Sequence, residues 1–132
     1  MITPPRPPHL DAPPAKEQAA AYQYLKDNEA AVACSVLDAI YDDYPRLRDM
    51  YGAVGMPANP DLRKLIGLAI VHVLDIAKDG HAYIGFELGC AWDQEHGLGV
   101  LTHRQRVLIV GQADRSFGVW PARKDGGQAI AW

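Results

Sequence analysis

The chain has 132 residues, 48% of them hydrophobic, which is enough apolar material for one core of ordinary size. Thirteen Lys+Arg against 16 Asp+Glu give a formal charge of -3, which argues against a general nucleic-acid or phosphate binder. Two cysteines exclude a disulfide-dense scaffold and a four-thiolate zinc site, and no apolar run approaches the roughly 20 residues of a membrane span.

The first 14 residues, MITPPRPPHLDAPP, hold six of the ten prolines. Such a segment cannot continue a helix or an interior strand, so 1–14 is expected to be an extended arm ahead of a single domain over 15–132. It has neither an apolar h-region nor a twin-arginine pair, and the expected location is therefore cytoplasmic.

Ala15–Asp43 contains no Gly or Pro and is dominated by good helix formers. Tyr22, Leu25, Val32, Val36 and Ile40 recur at helical spacing and mark a buried stripe. One long amphipathic helix is expected, ending near Tyr44-Pro45, with Gln23, Asp27, Asp38 and Asp42 on its outer side. Arg46–Asp61 then reads as a short helical turn and a linker.

The second half reads as strands. Leu65–Ala77 and His81–Trp92 flank Lys78-Asp79-Gly80, and a three-residue loop with Gly80 in the left-handed position sets a register. That register pairs Ile76/Ala82, Leu74/Ile84, His72/Phe86, Ile70/Leu88, Leu68/Cys90 and Ile66/Trp92 on one apolar face. The other face, with Asp75/Tyr83, Val71/Glu87, Ala69/Gly89 and Gly67/Ala91, is expected to meet solvent or a partner. His72 and Cys90 read as ordinary members of the core face. Leu98–His103 and Arg106–Gly111 form a second hairpin around Arg104-Gln105, and a short helical turn is expected near Ser116–Trp120. The expected fold is α+β, a long N-terminal amphipathic helix packed on a four-stranded antiparallel meander.

Charge is unevenly divided. Residues 1–61 hold five basic and nine acidic residues, a net -4, whereas residues 62–132 hold eight and seven, a net +1. An acidic helical half can serve solubility or dock a basic partner. The densest group of chemically active side chains is Trp92-Asp93-Gln94-Glu95-His96-Gly97, followed by His103 and Asp114. Two carboxylates and an imidazole could hold a divalent cation or move protons, but the same residues make an ordinary polar turn between strands. Neither Ser35 nor Ser116 has the glycine context of a nucleophile elbow, and the glycines at 85, 89, 97 and 99 form no phosphate loop. No catalytic set or cofactor site emerges. The strand glycines read as points of close packing or bending.

The stretch Val71–Phe117 resembles a family of small, functionally uncharacterised bacterial proteins that share W-D-x-E-H-G-x-G-V followed by G-x-A-D-x-S-F. Here those motifs are Trp92–Val100 and Gly111–Phe117, and Ala20–Val32 resembles the family's usual beginning. The resemblance implies no activity. Small acidic proteins of this kind are similar to immunity proteins, which neutralise a toxin by occluding it. That analogy implies a toxin with a basic active-site cleft as partner, with no direct nucleic-acid or membrane contact. The expected contact residues are Asp27, Asp38 and Asp42 on the helix, or Asp93, Glu95 and His96 in the turn. The alternative is a metal-binding module or metal-dependent enzyme using Asp93, Glu95, His96 and His103. A regulatory or structural subunit fits the same features.

Overall fold

The computed structural model describes residues 15–53, 56–117 and 119–126, so the arm at 1–14 lies outside the described residues. Two helices, α1 (Lys16–Asp27) and α2 (Glu29–Met50), precede a short helical turn, α3 (Leu62–Leu65). Four strands follow: β1 (Ile66–Lys78), β2 (His81–Cys90), β3 (Leu98–His103) and β4 (Arg106–Gly111). They form an antiparallel sheet in the order β1-β2-β3-β4. A 3-10 turn over Ala113–Phe117 and a last helix, α4 (Val119–Asp125), complete the α+β arrangement.

The expected single helix is two. The break falls at Asn28, whose backbone N–H and side-chain amide both donate to the Tyr24 carbonyl, at 2.9 Å each. No Gly or Pro announces this break, because an Asn side chain can satisfy the last turn of α1 as well as a glycine cap would. At the other end α2 continues through Pro45 to Met50. Pro45 is exposed, while Tyr44 and Leu47 on either side are buried. Their burial and the Arg46–Asp43 ion pair of 2.6 Å hold the last turn despite the missing N–H. Val32, Val36 and Ile40 are buried as expected, joined by Ala21, Tyr44 and Leu47, but Tyr22 instead lies under the Lys26 ammonium.

The first hairpin corrects the expected register. Asp79 (φ 53) and Gly80 (φ 81) are both left-handed, so the turn has two residues and pairs Lys78 with His81. Two irregularities in β1 then shift the pairing. Three residues, Leu74–Ile76, oppose Tyr83 alone, and Ala69 is an extra residue between Leu68↔Leu88 and Ile70↔Glu87. The even residues of β2 do face the helices, as expected: Ala82, Ile84, Phe86, Leu88 and Cys90 join the core with α2. In β1, however, Leu74 and Ile76 turn to the other face and pack with Tyr83, Leu101 and Ala122. His72 therefore pairs with Gly85 rather than Phe86, and its Nε2 lies 3.2 Å from Glu87 Oε1. An alternating pattern reports faces, but bulges let one strand change face midway without breaking the sheet.

The second hairpin pairs His103 with Arg106 around Arg104-Gln105, as expected. The second face of the sheet is not left to solvent or a partner. The 3-10 turn lies on it so closely that a Cβ at Gly85 would fall 1.3 Å from the Ser116 carbonyl oxygen, and one at Gly99 2.5 Å from that of Gln112. These glycines mark close packing, with the covering element being the C-terminal segment rather than the long helix. The long helices thus cover one face, and the 3-10 turn with α4 covers much of the other.

Candidate functional site

The turn after β2 is organised by one carboxylate. Asp93 Oδ1 accepts the His96 backbone N–H at 2.9 Å and lies 3.1 Å from His96 Nδ1. Asp93 Oδ2 accepts the Tyr51 hydroxyl at 2.5 Å, which ties the turn to the end of α2. The Gly97 N–H donates to the Asp93 carbonyl at 2.9 Å, and Gly97 itself has φ 68. The Tyr44 and Trp92 rings meet edge to face nearby, with centroids 5.9 Å apart. The Asp93 side chain is only 8% exposed. The Tyr51 hydrogen bond, with help from the His96 backbone and ring, holds its carboxyl below the usual range. Burial and the same bond push the Tyr51 phenol up. Asp93 is therefore a fixed anion inside the turn, whereas Glu95 and His96 are exposed.

His103 is not brought to this turn. It lies at the other end of β3, buried, with Nε2 2.7 Å from the Lys78 carbonyl and 3.2 Å from that of His81. Six residues of strand separate the two sites by about 17 Å. Among the described residues, no three His, Cys, Asp or Glu side chains gather to hold a metal ion. Cys90 is buried and burial pushes its thiol up, as a small core residue requires; Cys34 is exposed. Asp114 is exposed in the 3-10 turn, and Ser116 donates to the Ala113 carbonyl at 2.7 Å.

The acidic residues of the helices divide. Asp27 is exposed on α1 and accepts the Gln23 amide at 2.9 Å. Asp38 and Asp42 are exposed on α2 one turn apart, and Asp49 lies two turns further along the same stripe. Among the described residues none of these three has a cation within ion-pair distance; only Asp43 on this helix has one, Arg46.

A second polar cluster, which sequence reasoning missed, closes the hairpin-tip end of the sheet. Asp125 of α4 accepts the Tyr83 hydroxyl at 2.6 Å and both terminal nitrogens of Arg106 at 2.9 and 2.6 Å. Lys78 Nζ stands 3.9 Å from the same carboxylate. Arg106 and Tyr83 hold Asp125 far below the ordinary carboxylate range, and burial with the Asp125 bond pushes Tyr83 well up. Beside it an open groove of about 390 Å³ is lined by Tyr24, Lys78, His103, Arg104 and Arg106 among others. Arg104, at φ 54 in its turn, donates to the Asp79 carbonyl at 2.8 Å and to His81 Nδ1. The residues come from two hairpins and α4, far apart in the chain, and no local motif unites them.

A domain of unknown function, DUF6985, matches residues 8–117. The chain belongs to the DUF6985 family. The match takes in the helices, the sheet, the Asp93 turn and the 3-10 turn, and stops before α4 with its Asp125. No curated protein and no solved structure matches. No helix among the described residues is long and apolar enough to cross a membrane.

Proposed function

We propose that this DUF6985 protein works by binding another protein, as a cytoplasmic bacterial immunity protein that neutralises a toxin by occluding it. The observation that carries the reading is the acidic stripe of α2, which has no cation within ion-pair distance among the described residues. Asp38 and Asp42 repel each other at i,i+4 spacing, and Asp49 sits in the last helical turn, where the macrodipole disfavours an anion. The stripe therefore costs local stability, and a basic partner surface would offset that cost. A basic active-site cleft is such a surface, and complementary charge would also speed the encounter. Asp27 extends the acidic surface on α1. Glu95 and His96 are available as rim contacts, and Asp93 would serve by fixing their loop.

The test is co-purification with the product of the neighbouring gene, followed by stopped-flow association. An Asp38→Lys/Asp42→Lys variant should lose at least about tenfold in association rate and most of its salt dependence. A neighbour that is neither toxic nor bound would sink the immunity reading. Binding that ignores both the charge reversal and salt would remove the acidic stripe from it.

A further inference from the structure

The outer edge of β1 has an unusual character for a soluble sheet. It is the longest strand, and it has only one neighbour, β2. An edge strand offers unpaired N–H and C=O groups, and native proteins usually guard it with Lys, Pro or a covering element. Here no residue from Ile66 to Leu74 carries a formal charge, Leu68 is 61% exposed and Ile70 45% exposed. At the far end the Gln18 amide of α1 donates to the carbonyls of Val73 (3.4 Å) and Leu74 (3.1 Å).

The edge is also complementary to itself. Exposed Arg63 and Lys64 precede the uncharged run 66–74, and exposed Asp75 follows that run within β1. Two copies meeting antiparallel would bring each basic end to the other's acidic end, whereas a parallel meeting would set like charges side by side. The side-chain faces agree with this. Because Ala69 is an extra residue, Leu68 and Val71 both point to the helix-covered face, and Gly67 and His72 both point to the other. A two-fold axis at the Ala69–Ile70 peptide sets Leu68 opposite Val71 of the second copy and Gly67 opposite its His72. Lys64, in α3 just before the strand, and Asp75, beyond the paired run, then lie at matching ends of the two copies. Every pair away from the axis then shares a face, which a sheet requires.

We propose that two copies of this chain join through β1, over residues 67–72, to make one continuous sheet across a two-fold axis at Ala69–Ile70. The contact is isologous, so the same patch serves both copies. The acidic stripe stays clear of it, because α2 packs on β4 at the opposite edge, which keeps the two negative helices apart. The six-residue pairing is short and Gln18 limits its extension, so the association is concentration-dependent rather than obligate. This proposal does not rest on the toxin reading.

Sedimentation equilibrium of the full chain from about 1 to 500 µM tests it, a range that captures micromolar association. The weight-average mass should rise from monomer towards dimer, and amide exchange of Gly67–His72 should slow as concentration rises. Leu68→Lys and Ile70→Lys, each at an exposed position, should hold the chain monomeric with unchanged circular dichroism. Lys64→Glu and Asp75→Lys should each weaken the dimer about three- to tenfold, and the double charge swap should restore it. A monomer at every concentration, with β1 exchange independent of concentration, overturns the proposal. So does a dimer indifferent to the lysine substitutions, or one that the double swap fails to restore.

Discussion

The two ends of the sheet are closed by the same device, a carboxylate that accepts a tyrosine hydroxyl: Asp93 with Tyr51 and Asp125 with Tyr83. They differ in what else the carboxylate holds. Asp93 caps a backbone N–H and faces an imidazole three residues away, so its work is local. Asp125 gathers Arg106, Lys78 and Tyr83 from three strands and anchors α4 over the second face. A charged residue inside a motif can thus be a structural peg, and an undistinguished one near the chain's end can carry more interactions.

The comparison can be broken by substitution. Asp125→Asn should cost the most, about 2–3 kcal/mol, because it leaves the Arg106 fork without its anion and weakens the Tyr83 bond. Chemical denaturation measures it, and a loss below about 0.5 kcal/mol would reverse the ranking of the two ends. Asp93→Asn should cost about 1–2 kcal/mol, since the amide can still accept one of the two main bonds. Gly80→Val should cost about 1–2 kcal/mol by forcing a branched side chain to a positive φ, while the flanking Lys78/His81 pair stays intact. Near-zero cost there would contradict the left-handed turn. Glu95→Ala should stay within about 0.5 kcal/mol, as an exposed side chain with no structural duty.

Acid should reveal both ends together. The folded pKa values of Asp93 and Asp125 are depressed, so each contributes stability that is present above the unfolded value of about 3.9. That contribution is lost as pH falls through the folded values. Urea midpoints between about pH 2 and 6 should therefore fall more steeply for the native chain than for Asp93→Asn/Asp125→Asn. Parallel curves would mean that neither carboxylate is held as the geometry indicates.

Local chemistry was the readable part of this molecule. The alternating residues of β2 showed which side faces the helices, the Arg104-Gln105 hairpin fell where its flanking strands put it, and the Asp93 segment was readable as a polar turn between strands. Three features were not readable. Asn28 breaks the helix locally, its side chain serving as a cap where no Gly or Pro marks one. The face change of β1 through its bulges and the fit of the 3-10 turn on Gly85 and Gly99 are decided by contacts with segments distant in the chain. His103 illustrates the same limit: seven residues from His96, it is carried by an extended strand to the opposite end of the sheet.

Sequence alone determined the class of fold, the order of its strands and the acidic bias of the helical half, because these depend on propensity, periodicity and composition along a short window. Tertiary structure decided the register of β1, the covering of the second face and the anchoring role of Asp125. Those outcomes depend on how closely backbones can approach and on which distant polar groups become hydrogen-bond partners. A pattern in the chain can state which residues avoid water, but only the packed structure states what each of them meets.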